Sequence, residues 1–387
     1  MLYQKSGLNT KIPQKGMRIM LNLLTAMLTC VVLLTGYLLL LSPGVTEPYR
    51  DSNGNVLPES ISEKTFATIG GVKQGMMIKG KNANNPVALF LHGGPGMPTY
   101  FLTKQFPNGL EDYFTVCYWE QRGAGISYTA NMNAADITTE QLVSDAIEVT
   151  NYLCRRFGQE KIYLIGHSWG SFIGLLTAAQ APELYHAYIG ISQITNQAES
   201  EKIAYAWMTA RYTEAGNSQK MKLFSKYPID QSVAVLAAWF KTPERDSCMH
   251  ELGVGTMRDM KDVYSGVFFP YLGMKEYTLA EKFNTFFRAK PFLRNKTKLI
   301  DQLFSFDLSA RVPELAVPVY FMSGSYDLTV NHDLNKAYFT ELMAPVKGYY
   351  TFGASAHSPQ HEEPERFMQI MREDVLNGKT DLADSAF

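Results

Sequence analysis

The sequence has few cysteines and almost no net charge, and each shortage argues against a class of protein. Four cysteines occur in 387 residues, far apart and without the spacing of zinc ligands, so we expect neither a disulfide framework nor a metal site. The formal net charge of −1 gives no electrostatic argument for a nucleic-acid partner. Internal repeats and low-complexity tracts are also missing. Hydrophobic residues make up 46% of the chain, which is enough for a sizeable globular core.

Charge is also missing near the N-terminus, where residues 19–41 contain no charged side chain. A helix of this length can cross a hydrocarbon core of about 30 Å. Four basic residues and no acidic residue precede it: Lys5, Lys11, Lys15 and Arg18. The positive-inside rule then predicts a single-pass membrane protein with a cytoplasmic N-terminus and an extracytoplasmic domain. The alternative is a cleaved signal peptide, although Ser42-Pro43-Gly44 is a poor cleavage site.

A Gly-x-Ser-x-Gly pentapeptide, residues 166–170, lies between a predicted strand and a predicted helix. The apolar run at residues 162–165 is typical of a buried parallel strand, and an apolar pattern at helical spacing follows the pentapeptide. A strand, this pentapeptide and a helix form the nucleophile elbow of α/β-hydrolases. Side chains at Gly166 or Gly170 would collide with the neighbouring strand and helix. Ser168 is therefore the candidate nucleophile.

A second glycine-rich segment, His-Gly-Gly-Pro-Gly at residues 92–96, follows another short apolar run. In α/β-hydrolases such a loop supplies one backbone N–H of the oxyanion hole, and the residue after the nucleophile supplies the other. The predicted donors are Gly94, with Gly93 as the alternative, and Trp169. A phosphate-binding loop is disfavoured, because the Lys-Ser/Thr of a P-loop and the Gly-x-Gly-x-x-Gly spacing are missing. We expect His92 to brace the loop.

The last two predicted strands are each followed by a candidate partner of Ser168. Asp327 comes just after the first of them, where an aspartate can fix the tautomer of a histidine and stabilise its charged form. His357 lies in the loop after the second, the position of the general base in this fold. The order serine, aspartate, histidine is that of α/β-hydrolases. Two nearby alternatives are Asp333, at the start of a predicted helix, and His361.

Alternating strands and helices predict a mostly parallel sheet with helices on both faces, the α/β-hydrolase fold. More than a hundred residues separate two of its strands, too many for a loop, and they are rich in helical patterns and aromatic residues. We expect an inserted helical cap, with most of its aromatic residues in the cap core: Trp207, Tyr212, Trp239, Phe268, Phe269, Tyr271, Phe286 and Phe287. The predicted divisions are a tail 1–18, a transmembrane anchor 19–41, a linker 42–63, the core 64–195, the cap 196–311 and the rest of the core 312–387.

Three motifs together resemble those of the proline iminopeptidase (prolyl aminopeptidase) family of α/β-hydrolases. They are the loop at residues 92–96, the segment Trp-Glu-Gln-Arg-Gly-Ala-Gly at residues 119–125, and the pentapeptide Gly-His-Ser-Trp-Gly. The resemblance extends over residues 64–193 and 312–371. It implies an aminopeptidase that releases N-terminal proline or other small residues.

The family also suggests where the substrate's ammonium group binds. In the family, carboxylates of the cap and of the segment after the oxyanion loop receive this group. Glu120 is therefore a predicted substrate-binding residue, and a cap glutamate is expected to face Ser168. The chain departs from the family at Glu120, Ile126 and His167, where Asp, Arg and Gly are common. These departures leave the exact substrate open.

The resulting hypothesis is a membrane-anchored serine hydrolase that needs no metal and no cofactor. Ser168 attacks a carbonyl of a small peptide or ester, His357 transfers the proton, and Asp327 orients His357. An aminopeptidase is the first interpretation, an esterase or lactonase on the same triad is the alternative, and a ligand-binding receptor is the third. Epoxide and haloalkane chemistry would require a carboxylate at position 168. The oligomeric state is left open.

Overall fold

The computed structural model describes residues 14–385, so most of the predicted tail, residues 1–13, lies outside the described residues. The strands are β1 Ile61–Ile69, β2 Val72–Gly80, β3 Val87–Leu91, β4 Thr115–Trp119, β5 Ile162–His167, β6 Tyr185–Ile191, β7 Val319–Gly324 and β8 Lys347–Phe352. The α-helices are α1 Gln14–Leu40, α2 Tyr100–Gln105, α3 Leu110–Tyr113, α4 Thr139–Phe157, α5 Trp169–Gln180, α6 Gln197–Glu214, α7 Ser218–Phe224, α8 Val233–Phe240, α9 Pro243–Glu251, α10 Phe269–Leu272, α11 Leu279–Asn284, α12 Lys290–Lys296, α13 Leu299–Ser305, α14 Leu308–Arg311, α15 His332–Glu341, α16 Pro359–Glu362 and α17 Pro364–Glu373.

All eight strands form one sheet in the order β1-β2-β4-β3-β5-β6-β7-β8. The pairs β1–β2 and β2–β4 are antiparallel and every other pair is parallel, which confirms the predicted fold class. β1 and β2 form a hairpin whose turn, Gly70-Gly71, has positive φ at both residues. This backbone conformation suits glycine and matches the twist of the two strands. β1 begins at Ile61, so the last three residues of the predicted linker, 61–63, belong to the sheet.

Successive side chains of a strand point to opposite sides of the sheet, and in the parallel strands most side chains on both sides are buried. In β3, Val87, Leu89 and Leu91 join one apolar cluster, while Ala88 and Phe90 join the other. Helices α4, α5 and α15 cover the first face, and helices α2, α3 and α17 cover the second. The carboxyl ends of β5, β7 and β8 therefore meet at one edge of a rigid sheet.

Helices α6 to α14 all lie between β6 and β7, as an insertion into the sheet's connectivity. Its core contains the buried rings of Tyr212, Trp239 and Tyr271. Two of the aromatic residues that we expected in this core, Phe269 and Phe287, are exposed instead, so the expectation is wrong for them. Helical spacing predicts that such side chains share a face, but it does not decide what covers that face.

Helix α1 is long and apolar enough to cross a membrane, and none of its residues is buried against the rest of the chain. A signal sequence would have the same properties, so orientation and cleavage are not decided by the helix. The segment after it is bound to the insertion. Lys282 Nζ donates to Leu41 O at 2.9 Å and to Ser42 Oγ at 2.8 Å, and Lys275 O accepts from Gly44 N–H at 2.9 Å.

Candidate active site

Ser168 lies on the tight turn between β5 and α5, with φ 54° and ψ −122°. Positive φ is unfavourable for a residue with a Cβ, and such strain is of the order of 1–3 kcal/mol. The glycines on either side have no room for a side chain. A Cβ on Gly170 would lie 1.9 Å from Leu91 O, and a Cβ on Gly166 would lie 2.5 Å from Gly170 O. The crowding predicted from the sequence is therefore present at both positions.

Asp327 and His357 meet at the same sheet edge. Asp327 follows β7, is fully buried, and accepts a hydrogen bond from Val330 N–H at 2.9 Å through Oδ1. Its other oxygen, Oδ2, accepts from His357 Nδ1–H at 2.8 Å. This bond assigns the proton to Nδ1 and leaves Nε2 as the basic nitrogen. Ser168 and His357 both line one cavity of about 180 Å³.

The alternatives to these two residues, His361 and Asp333, do not line this cavity. His361 is buried, lies outside the lining of the cavity, and bonds to Phe106 O through Nδ1 at 3.0 Å. Burial lowers the pKa of His361 to about 4, so its ring is neutral near pH 7. Asp333 lies in the first turn of α15, where a negative charge is favourable beside the unpaired N–H groups.

The loop at residues 92–96 lies beside the elbow, and Gly93 and Gly94 line the cavity. Gly94 has φ 126°, and a Cβ there would lie 2.5 Å from Gly96 N. Trp169 opens helix α5, whose first N–H groups have no partner within the helix. The role of the Gly94 and Trp169 N–H groups as oxyanion donors remains a prediction.

Gln121 joins this loop to the elbow, a role that sequence reasoning missed. Its Nε2 donates to His92 O at 3.0 Å, and its Oε1 accepts from Trp169 Nε1–H at 2.9 Å. The Gln121 backbone N–H also donates to His92 Nε2 at 3.2 Å, so Nδ1 carries the ring proton and donates to Gly93 O. Burial lowers the pKa of His92 to about 4, which keeps the ring neutral. Gln121 was visible as part of the 119–125 motif, but only its contacts reveal its function.

His167, inside the pentapeptide, supports the loop that carries His357. Its Nε2–H donates to His357 O at 2.7 Å, and the two rings lie 5.1 Å apart between centroids. Burial, and then the neighbouring His357, lower the pKa of His167 to about 3, so it remains an uncharged donor. Glycine, which is common here in the resembled family, could not make this bond.

Glu120 is fully buried and does not line the cavity that contains Ser168. Its carboxylate accepts from Ile126 N–H at 2.7 Å and from Tyr277 OH at 2.5 Å. Burial raises the pKa of Glu120 to about 7, against the opposing effect of these two hydrogen bonds. In this position it joins the sheet to the insertion through Tyr277, and a role in substrate binding remains a prediction.

The insertion contributes positively charged side chains to the cavity. Arg245, Lys290 and Arg294 line it, and Asp246 is the one acidic side chain of the lining within residues 14–385. The expectation that a cap glutamate faces Ser168 is therefore wrong for this cavity. Glu201, the buried glutamate nearby, is bound by Arg245 at 2.9 and 2.7 Å. These residues carry no recognisable motif, although Lys290 and Arg294 share one face of α12 by their spacing.

Comparison with known proteins agrees with this architecture. Residues 86–364 match the family described as the alpha/beta hydrolase fold. The chain is 35% identical over 322 residues to the probable aminopeptidase YbaC of Bacillus subtilis. The aligned region covers 82% of this chain and 98% of that protein. It is 22% identical over 309 residues to a proline iminopeptidase of Saccharolobus solfataricus, over 76% of this chain and 86% of that protein.

A solved structure also has the same fold. The crystal structure of a proline iminopeptidase from Mycobacterium smegmatis superposes with a TM-score of 0.55 at 17% sequence identity. It covers 81% of this chain and 98% of that protein. At this level of identity the likeness concerns the fold alone.

Proposed function

Since the chain belongs to the α/β-hydrolase family and is a hydrolase, we propose that it acts through an acyl-enzyme formed on Ser168. The observation that carries this proposal is that Ser168 and the Asp327-bound His357 line the same cavity. His357 Nε2 takes the proton as Ser168 Oγ attacks the carbonyl, and Asp327 stabilises the imidazolium. The N–H groups of Gly94 and Trp169 stabilise the oxyanion. His357 then protonates the leaving group, and water releases the acyl group by the same steps.

The proposed substrate is a short peptide with a free N-terminus. The 35% identical relative named a probable aminopeptidase supports this choice, as do the three motifs. An esterase or lactonase is the second candidate, and the scarcity of acidic side chains in the cavity favours it. An ammonium group needs a carboxylate partner when it leaves water, and the carboxylate of Asp246 already contacts Arg245 NH1 at 3.1 Å.

Labelling by a fluorophosphonate probe tests the nucleophile. The purified full-length protein in detergent should be labelled, and Ser168→Ala should lose the label. Ser225→Ala, at an exposed serine outside the cavity lining, is the control and should retain it. Labelling of Ser168→Ala at the rate of the unaltered protein would identify another nucleophile.

Matched substrates then separate the two candidate activities. Proline naphthylamide should be cleaved far faster than its N-acetyl form if the substrate's ammonium group is recognised. Equal rates on both compounds, or faster turnover of a plain acyl ester, would assign the esterase activity instead.

We further propose that α1 is an uncleaved anchor with its N-terminus in the cytoplasm. The basic residues before the uncharged run support this orientation, and Lys15 and Arg18 lie within the helix itself. The hydrolase domain would then lie on the opposite side of the membrane.

A further inference from the structure

The cavity that contains Ser168 has two cationic side chains without an anionic partner. Lys290 and Arg294 both line it, one helical turn apart on α12. Within the described residues 14–385, neither side chain lies within 4.0 Å of a carboxylate oxygen. Arg294 NH2 donates to a backbone carbonyl, Phe240 O, at 3.0 Å. The positive charges of Lys290 and Arg294 are therefore uncompensated by direct contact.

The nearby acidic side chains are bound to another residue. Glu201 forms a two-fold hydrogen-bonded pair with Arg245, and Asp246 contacts the same guanidinium at 3.1 Å. Burial lowers the pKa of both Lys290 and Arg294. The proximity of Arg294 lowers the pKa of Lys290 further, and Arg245 does the same to Arg294, while the charge of Asp246 opposes the shift in both. A cationic side chain that is largely removed from water is stabilised when an anion binds beside it.

We propose that Lys290 and Arg294 bind an anionic group of the substrate, a carboxylate, while its scissile carbonyl lies at Ser168. The inference rests on the proposed function, because it takes Ser168 as the point of attack. A carboxylate accepts hydrogen bonds from a guanidinium and an ammonium together. The cavity of about 180 Å³ beside Ser168 accommodates a small molecule. A dipeptide with a free C-terminal carboxylate satisfies both conditions, and so does the half-ester of a short dicarboxylic acid.

Two substrate pairs that differ in one charge test the inference on the full-length protein in detergent. The pairs are Pro-Ala with Pro-Ala amide, and mono-p-nitrophenyl succinate with its methyl ester. In the pair that is cleaved, kcat/KM should be higher for the carboxylate by about tenfold or more, as expected for charge-assisted hydrogen bonds. Lys290→Met should reduce this ratio about tenfold, Lys290→Arg should retain most of it, and Lys296→Met, on the same helix but exposed, should leave it unchanged.

The outcomes separate this inference from the proposed function. If Ser168 reacts with the fluorophosphonate probe and the neutral and anionic partners are cleaved equally, the anion site does not exist and the hydrolase mechanism stands. A carboxylate preference that survives in both Lys290→Met and Arg294→Gln also contradicts the site. If Ser168 does not react, the proposed mechanism itself fails.

A second, independent observation is a patch of exposed aromatic rings on the insertion. Four side chains are at least half exposed: Tyr264 at 70%, Phe269 at 62%, Phe283 at 50% and Phe287 at 58%. Phe268 joins them, since its ring lies 5.6 Å from that of Phe269 and 6.4 Å from that of Phe287. We call these five residues the aromatic patch.

The end of α1 lies against the helix that carries part of this patch. Lys282, next to Phe283, donates to Leu41 O and Ser42 Oγ, and also to Leu272 O, at the end of α10. If α1 spans a membrane, the patch is held close to the surface of the lipid. Aromatic side chains are enriched at this interface, because a ring suits the boundary between hydrocarbon and headgroups. We infer that the aromatic patch docks on the lipid bilayer, an inference that rests on the proposed anchor.

Fluorescence quenching in vesicles tests this docking. The full-length Phe283→Trp variant is reconstituted in phosphatidylcholine vesicles with and without brominated acyl chains, and its emission is compared with that of the unaltered protein. The added tryptophan should be quenched by the brominated lipid, whereas the tryptophan of Tyr113→Trp, on α3, should not. An unquenched Phe283→Trp contradicts the docking, and an intermolecular disulfide formed by Phe283→Cys under oxidation would assign the patch to a dimer. Release of the protein by alkaline carbonate would instead reject the anchor.

Discussion

At the scale of single residues, the candidate site depends on which of two neighbouring groups reaches the sheet edge. Asp327 and Asp333 lie six positions apart, and His357 and His361 four, so composition alone gives no preference. Position relative to a strand end does give a preference for Asp327 and His357, because a residue just after a parallel strand lies at the edge where the other parallel strands also end. Oδ2 of Asp327 and Nδ1 of His357 are 2.8 Å apart, while His361 bonds to Phe106 O and Asp333 lies in the first turn of α15.

Asp327→Asn should lower kcat by roughly 10⁴ with little change in folding. An amide can donate to Nδ1 and so stabilise the wrong tautomer of His357, which leaves no base toward Ser168. Steady-state kinetics on the best substrate, together with thermal unfolding, measure the two effects. Asp333→Asn is the matched control and should stay near full activity. Comparable losses in both variants would contradict the role given to Asp327.

Glu120→Gln should change how stability depends on pH. The carboxyl of Glu120 has a pKa of about 7 in the folded protein, against 4.5 as its ordinary value. Between these values the folded state holds a proton that the unfolded state has lost, so the free energy of unfolding falls as pH rises. The total change is about 3 kcal/mol. This contribution to stability is fully present below pH 4.5 and is lost above pH 7, and outside this range the stability no longer changes with the ionisation of Glu120.

Glutamine has no such proton. The difference in unfolding free energy, unaltered protein minus Glu120→Gln, should therefore decrease as pH rises from 4.5 to 7. Denaturant titrations across this range measure it. A difference that is constant with pH would mean that Glu120 is already ionised in the fold.

At the scale of elements, the elbow is a contact between β5, α5 and the end of β3. Gly170 lets the first turn of α5 approach the carbonyl of Leu91, and Gly166 lets β5 approach the same turn. These contacts are between backbones, which cannot move as a flexible side chain can. The strained φ of Ser168 is maintained by this packing.

Gly170→Ala should therefore destabilise the fold by about 3 kcal/mol or more. Its Cβ would lie 1.9 Å from Leu91 O and 2.8 Å from His92 O, so both the elbow and the oxyanion loop would have to move. Gly353→Ala serves as the control, because nothing lies within 4 Å of its added Cβ. Thermal unfolding of the purified variants makes the comparison. If Gly170→Ala were as stable as the control, the backbone at Leu91 and His92 would have moved without cost to make room for the methyl group.

At the scale of the whole molecule, the chain joins a hydrolase domain to an apolar helix through a short segment that is bound to the insertion. Lys282 and Lys275 hold this segment at Leu41 and Gly44. The attachment limits how freely the domain can rotate about its proposed anchor. An unstructured linker would impose no such limit.

If α1 is the proposed anchor, the protein should resist extraction by alkaline carbonate. In intact cells whose outer barriers are opened, added protease should degrade the hydrolase domain and spare an epitope placed near Lys5. Mass spectrometry of the mature N-terminus separates the anchor from a signal peptide. A first residue after position 41 would mean that the helix is removed.

The sequence by itself determined those features that depend on neighbouring residues. Local periodicity predicts the fold class and the uncharged helix. Turn chemistry predicts the two glycine-rich turns, and position after a strand predicts the acid and the base in their order along the chain. Gly166, Gly170 and Ser168 lie within one pentapeptide, so their crowding could be predicted without knowing the rest of the chain.

The tertiary structure alone decided what the insertion contributes. Glu201 and Arg245 are 44 residues apart, and their pairing depends on how α6 and α9 pack, which helical periodicity does not specify. The same packing brings Lys290 and Arg294 into the cavity and leaves Phe269 and Phe287 exposed. Periodicity assigns residues to a face of a helix. The position of that helix against the sheet is determined by contacts between distant parts of the chain, and these determine whether the face meets protein, cavity or solvent.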